Sequence, residues 1–174
     1  MLSMRHIGIY PGTFDPIHSG HMVFAQTAGT ECRLDTIFFL PESNPRNKHD
    51  VTSIHQRILR IKESIRPVDK LELYESASSR FSVIDTLDEL KTAFSDARLT
   101  LLIGSDVALH MYRWPDIHLL VHVFQFAIGM RTTESLSDVE NAMKRLVAVT
   151  DRTVAYSIIS TPHAGLASSQ FRSQ

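Results

Sequence analysis

Short runs of apolar residues recur along the chain at regular intervals. Most of these runs are apolar throughout rather than alternating in polarity, which is typical of strands that are buried on both faces of a parallel sheet. Pro41 follows one run directly, as expected where a strand stops. We therefore predict strands at 5–10, 35–40, 69–74, 99–103, 123–130 and 153–159.

Stretches with helical spacing fill the intervals between these runs. Helices are predicted at 19–33, 52–66, 82–95, 105–112, 115–121 and 134–149. Ser19 is the predicted N-cap of the first helix. One face of the second helix carries Ile54, Ile58, Ile61 and Ile65.

The alternation of strand and helix predicts an α/β fold. Short connections and right-handed crossovers give a doubly wound, mostly parallel sheet of five to six strands with helices on both faces. No linker, internal repeat or low-complexity segment interrupts residues 1–174, so we expect one domain. Ligands of such sheets bind beyond the carboxyl ends of the strands. The loops to inspect therefore follow Tyr10, Leu40, Ile103 and Ile159.

Composition narrows the class of protein. The chain is 43% hydrophobic and carries a formal net charge of −1, so it can bury a core but lacks the basic excess typical of nucleic-acid binders. Cys32 is the only cysteine, which excludes an internal disulfide and a four-thiolate zinc site and favours a cytoplasmic location. No apolar stretch reaches the roughly 20 residues that span a bilayer. The spacing of the apolar residues is compatible with a homo-oligomer.

The loop after the first strand has the features of a phosphate-binding site. Gly12 permits a tight turn and a close approach of the backbone to a ligand, and Thr13 offers a hydroxyl and an amide. A helix begins just afterwards, and its N-terminal amides favour anions. His18 and His21 would share one face of that helix. A zinc site is disfavoured because no further ligands accompany the two histidines.

This stretch, GTFDPIHSGH, resembles the signature of the nucleotidyltransferase superfamily that carries a (H/T)xGH motif. The resemblance implies a Rossmann-like nucleotidyltransferase fold. It also implies that Gly12 and Thr13 contact phosphates. His18 and His21 would hold the ATP phosphates, supply positive charge and stabilise the transition state.

The end of the chain is similar to the second motif of the same superfamily, SS(T/S)xxR. Ser168, Ser169 and Arg172 match it, although Gln170 stands where Thr or Ser is usual. In relatives such hydroxyls and the arginine bind the β- and γ-phosphates of ATP, and the planar guanidinium suits phosphate oxygens. The chain stops at Gln174, where relatives continue into a helix.

Three internal segments resemble the nicotinate mononucleotide adenylyltransferases within that superfamily. In the loop and helix at 39–65, Lys48 and Arg57 match a lysine and an arginine of the group, and Lys48 would be catalytic. The helix start at 82–87 is similar to the group's (S/Y)TxxTL pattern. That likeness implies that Thr86 lies near the acceptor's carboxylate.

The third segment joins a strand end to the only tryptophan. Gly104 and Asp106 match the group's (I/L)GxD pattern, with Trp114 at the expected spacing. The resemblance implies that Gly104 and Asp106 bind ATP, that Asp106 also contacts the acceptor's ribose, and that Trp114 stacks on its pyridine ring.

Taken together, the resemblance implies transfer of AMP from ATP to nicotinate mononucleotide with release of pyrophosphate, for synthesis of NAD. Mg²⁺ would accompany ATP, bound mainly by substrate and water rather than by a protein metal site. Open alternatives are a pantetheine-phosphate adenylyltransferase, another small-molecule nucleotidyltransferase such as a cytidylyltransferase or one that uses nicotinamide mononucleotide, and a non-catalytic nucleotide sensor. The expected ligands are small molecules, without nucleic acid or membrane.

Overall fold

A computed structural model describes residues 4–46, 48 and 50–162. Six strands lie at β1 (Arg5–Gly12), β2 (Thr36–Pro41), β3 (Leu71–Leu73), β4 (Ala97–Gly104), β5 (Phe124–Gly129) and β6 (Tyr156–Ile159). The helices are α1 (Ser19–Glu31), α2 (Ile54–Ile65), α3 (Val83–Ala93), α4 (Ser105–Ala108), α5 (Ile117–Val123) and α6 (Leu136–Thr150). A short 3-10 turn occupies Met111–Arg113.

The six strands form one parallel sheet in the order β3-β2-β1-β4-β5-β6. The chain runs outward from β1 to β3, then crosses back to β4 and continues to β6. The order therefore reverses between β1 and β4, and a crevice opens there at the carboxyl ends of the strands. The predicted α/β, doubly wound sheet is confirmed.

Hydrophobic side chains pack on both faces of the sheet. On one face, α1 and α2 cover a cluster that includes Phe39, Ile61 and Leu102, all almost completely buried. The other face packs against α3, α5 and α6 around residues such as Leu101 and Leu146. Because the central strands are covered on both faces, their sequences are continuously apolar. No helix among the described residues is long and apolar enough to cross a membrane.

Serine side chains begin three of the helices. Ser53, Ser82 and Ser135 each accept an N–H from the first turn of α2, α3 and α6. The predicted cap at Ser19 is wrong. His18 occupies that position in α1, and its Nδ1 accepts the Gly20 N–H at 3.1 Å.

Some predicted elements are shorter or displaced. The edge strand β3 keeps only three residues, because Lys70 has a positive φ of 69° immediately before it. The helix predicted at 105–112 is only α4, followed by the 3-10 turn. That turn ends at Trp114, whose backbone is extended because a proline follows it. The strand predicted at 123–130 begins one residue later, since α5 includes Val123.

Candidate active site

A cavity of about 880 Å³ lies at the carboxyl ends of the central strands. It opens where the strand order reverses, between the start of α1 and the segments that follow β4 and β5. The lining includes eight of the residues predicted from the sequence: Gly12, Thr13, His18, His21, Lys48, Gly104, Asp106 and Trp114. One cavity thus gathers residues that are far apart in the chain.

The two histidines stack at the N-terminus of α1. Their ring centroids are 3.8 Å apart, and His21 Nδ1 accepts the His18 N–H at 3.2 Å. Since His18 Nδ1 accepts the Gly20 N–H, both Nδ1 atoms act as acceptors. A neutral imidazole that accepts at Nδ1 carries its proton on Nε2. Each ring is thereby set up as a donor through Nε2.

These histidines are neutral near pH 7. Burial, assisted by Arg131, lowers the pKa of His18 to about 4. Burial also lowers the pKa of His21 to about 3, with further contributions from His18, Arg131 and Lys48. These shifts favour uncharged imidazoles in the protein without ligand, whereas the sequence led us to expect positive charge from the pair. Desolvation and the cationic neighbours leave hydrogen-bond donors rather than cations.

Thr13 and Lys48 meet at the edge of the cavity. Lys48 Nζ donates to Thr13 Oγ1 at 2.9 Å, which ties the loop after β2 to the loop after β1. Arg57, the other residue matched in that segment, is buried and is absent from the cavity wall.

Gly12 serves a different purpose from the predicted tight turn. It ends β1 without a positive φ, and the left-handed residue of this loop is Phe14, with φ 49°. A Cβ at Gly12 would lie 2.9 Å from the Phe14 ring. Glycine is thus needed here to make room for a buried aromatic side chain.

An ion pair lies in the wall of the cavity. Arg131 Nε lies 3.2 Å from Asp106 Oδ1, and both side chains are partly exposed. The Arg131 N–H donates to Ser105 Oγ at 2.9 Å, which fixes the start of the segment after β5. A Cβ at Gly104 would collide with the Asp106 carboxylate, so glycine is required for Asp106 to hold this position.

Arg131 is the site residue that the sequence analysis missed. It follows β5 closely, and the carboxyl-end rule applies to that strand as much as to the others. The loop after β5 was not among those predicted to carry the site, although the rule alone identifies it.

The remaining wall is formed by Trp114 and the start of α3. Trp114 is half-buried and lines the cavity, as do Phe81, Ser82 and Val83. Thr86 does not, because it is 0% exposed and lies beneath this wall. Its Oγ1 accepts the Ser82 N–H at 3.0 Å. The direct acceptor contact predicted for Thr86 is thus not supported, and its hydroxyl instead positions the start of α3.

Ser168, Ser169 and Arg172 lie outside the described residues. Within the described part of the chain, no group of three or more His, Cys, Asp or Glu side chains could hold a metal ion.

Comparisons with known proteins agree with this geometry. A family model described as cytidylyltransferase-like matches residues 9–172. A nicotinate-nucleotide adenylyltransferase from Bacillus subtilis (strain 168) is 35% identical over 133 residues, covering 74% of this chain and 70% of that protein. A probable nicotinate-nucleotide adenylyltransferase from Neisseria meningitidis (serogroup A) is 28% identical over 185 residues, covering 97% and 88%.

A solved structure shares the fold. It is that of the Plasmodium falciparum nicotinic acid mononucleotide adenylyltransferase complexed with NaAD. The TM-score is 0.78 at 21% identity, over 97% of this chain and 83% of that one. At this identity the likeness shows the architecture alone.

Proposed function

Since the chain belongs to the cytidylyltransferase-like family and, within it, to the nicotinate-nucleotide adenylyltransferases, we propose that it transfers AMP from ATP to nicotinate mononucleotide. The product would be a dinucleotide used in the synthesis of NAD. One observation carries the proposal. A single cavity joins a phosphate side, with His18 and His21 at the start of α1, to an aromatic side at Trp114.

The reaction needs no nucleophile from the protein. A phosphate oxygen of the mononucleotide attacks the α-phosphorus of ATP and forms a new P–O bond. The bond from that phosphorus to the oxygen bridging to the β-phosphate breaks, and pyrophosphate leaves with the electron pair. Because the attacking phosphate is already anionic, alignment and charge stabilisation supply the catalysis.

The phosphate side would stabilise the transferring group. His18 and His21 donate through Nε2 to phosphate oxygens, and the N-terminus of α1 adds its dipole. Lys48 contributes a charge on a long side chain beside Thr13. Arg131 and Asp106 line the same cavity, where Asp106 would accept from a ribose hydroxyl and Arg131 would contact phosphate.

Charge balance supports a divalent cation as part of the substrate complex. The described lining carries fewer cationic side chains than carboxylates. The three cations are Arg46, Lys48 and Arg131, and the four carboxylates are Glu42, Asp85, Asp106 and Asp116. Two phosphate-bearing substrates therefore enter a lining without a cationic excess. The carboxylates form no metal cluster. The residues thus fit a Mg²⁺ held mainly by ATP and water, which supplies positive charge to the phosphates when bound.

The start of α3 is suited to the acceptor's carboxylate. Ser82 Oγ accepts the Asp85 N–H at 3.0 Å. Val83 and Ile84, which come before Asp85 in the first turn, line the cavity. First-turn amides point away from the helix and favour an anion. A nicotinate carboxylate gains from this arrangement, whereas an uncharged nicotinamide does not.

The remaining assignments follow from the family. Ser168, Ser169 and Arg172 would bind the β- and γ-phosphates. Thr161, near the last described residue, lines the same cavity. A cytoplasmic location and a homo-oligomer both stay predictions.

The test is release of pyrophosphate by the purified chain with Mg-ATP. Nicotinate mononucleotide, nicotinamide mononucleotide and phosphopantetheine are offered separately. The proposal expects release with nicotinate mononucleotide. Release with phosphopantetheine alone would overturn the acceptor assignment, and ATP binding without release from any acceptor would indicate a nucleotide sensor.

A further inference from the structure

A buried arginine joins the loop after β1 to the loop after β2. The Arg57 side chain is only 1% exposed. Its Nε donates to the Thr52 carbonyl at 2.8 Å, and its Nη1 donates to the carbonyls of Thr13 at 2.7 Å and Glu42 at 2.9 Å. A buried charge is costly unless it is fully hydrogen-bonded. The guanidinium therefore holds these carbonyls in a fixed arrangement.

Glu42 extends this network toward α3. Its Oε1 accepts the Phe81 N–H at 2.8 Å, and its own N–H donates to the Gly12 carbonyl at 3.0 Å. Nearby, the Asn44 N–H donates to the Ser79 carbonyl at 2.8 Å. The loop after β2 is thus fastened to the first loop on one side and to the segment before α3 on the other.

The two ends of the network lie in two different parts of the cavity wall. At one end, Thr13 accepts a hydrogen bond from Lys48 on the phosphate side. At the other end, Phe81 and Ser82 begin the wall beside which the acceptor would lie. Arg57 and Glu42 link these two walls through their hydrogen bonds.

We propose that Arg57 and Glu42 act as positioning residues that set the acceptor wall at Phe81 relative to the phosphate loop at Thr13. Arg57 acts from beneath the cavity, and Glu42 acts through its hydrogen bond to Phe81. The inference rests on the proposed function, which assigns the two walls to the two substrates. In-line transfer requires the substrates to be aligned, so a displaced wall weakens acceptor binding and lowers turnover.

Two substitutions of Glu42 separate positioning from charge, because this side chain also lines the cavity. Glu42→Gln removes the charge but keeps an oxygen that accepts the Phe81 N–H. Glu42→Ala removes the acceptor. We expect Glu42→Ala to raise the KM for the acceptor by about tenfold, as for one lost hydrogen bond to a charged group, with the KM for ATP little changed. Glu42→Gln should raise this KM clearly less than Glu42→Ala does, and equal losses in both variants would overturn the proposal.

Amide hydrogen exchange of the substrate-free chain tests the same network without turnover. The Phe81 amide should exchange about tenfold faster in Glu42→Ala than in wild type or Glu42→Gln. Arg57→Lys, which keeps a charge but loses the fork geometry, should speed exchange at Glu42 and Phe81. Arg60→Ala is the matched control, since Arg60 is exposed on the same helix.

Pyrophosphate release tests the proposed function, and amide hydrogen exchange tests the positioning role separately. A wild-type chain that releases no pyrophosphate with nicotinate mononucleotide would overturn the proposed function, while the exchange pattern still decides the role of Glu42. Unchanged exchange at Phe81 in folded Glu42→Ala would overturn the positioning role and leave the proposed function intact.

Discussion

The rings of His18 and His21 lie 3.8 Å apart between centroids, and His21 Nδ1 accepts the backbone N–H of His18. The second contact fixes the orientation of His21, while the Gly20 N–H fixes that of His18. Two imidazoles this close disfavour each other's protonation. The pair therefore encounters ATP as neutral donors, and Arg46, Lys48 and Arg131 are the cations of the described lining.

Replacing His18 by asparagine separates its capping role from its proposed catalytic role. Asparagine is a good N-cap, so the fold and α1 should be retained, whereas the Nε2 donor is lost. We expect turnover to fall by about 10²-fold or more, as when one preorganised donor is removed from an active site. The rate of pyrophosphate release measures the turnover of the variant. His118→Asn, on the exposed face of α5, is the control, and near-normal turnover in folded His18→Asn would exclude the role.

The depressed pKa values predict how stability depends on pH. His18 titrates at about 4 and His21 at about 3 when folded, against about 6.5 in an unfolded chain. Within that window the unfolded state binds more protons, so stability present above about pH 6.5 declines as the pH falls toward about 3. Urea unfolding at several pH values measures the slope. The decline should be shallower in His18→Asn than in wild type, and identical slopes would contradict the assignment.

Arg131→Gln should affect both substrate binding and the histidines. Loss of the guanidinium removes a charge that lowers both pKa values, so the pKa of His18 should rise. Imidazole resonances followed by NMR against pH report this directly. The KM for ATP should increase about tenfold, since a charge-assisted contact to phosphate is lost. Arg113→Gln provides a control, because Arg113 contacts Tyr112 instead. An unchanged His18 titration would contradict the account.

Trp114 offers a spectroscopic test of the acceptor wall. The chain has one tryptophan, so its intrinsic emission reports on this cavity alone. Nicotinate mononucleotide should quench the emission in the absence of ATP. Trp114→Leu should weaken acceptor binding by about 1–3 kcal/mol, the typical contribution of one stacked base, with ATP binding unchanged. If the binding of ATP weakened as much as the binding of the acceptor, the ring would have a structural role instead.

Local patterns were sufficient to predict much of the molecule. The six strands follow from apolar runs, and the loop from Gly12 to His21 is recognisable because its residues are adjacent in sequence. The positions of Gly104, Asp106 and Trp114 on the cavity follow from the carboxyl-end rule and the resemblance. In each case the signal lies within a short stretch of chain.

Relationships across the chain were not predictable in the same way. Arg57 sits among the isoleucines of α2, and nothing local shows that its guanidinium binds the carbonyls of Thr13 and Glu42, which lie in two different loops. Thr86 has the right sequence context, but its burial depends on how α3 packs. The neutral state of His18 depends on desolvation and on Arg131, which lies far along the chain.

The central claim is that this cavity joins ATP to nicotinate mononucleotide. The most direct measurement offers equal concentrations of nicotinate and nicotinamide mononucleotides with Mg-ATP in one vessel. Mass spectrometry then identifies the dinucleotide formed, alongside an equimolar yield of pyrophosphate. The account predicts that the nicotinate dinucleotide dominates. A dominant nicotinamide dinucleotide, or no dinucleotide at all from a chain that binds ATP, would contradict it.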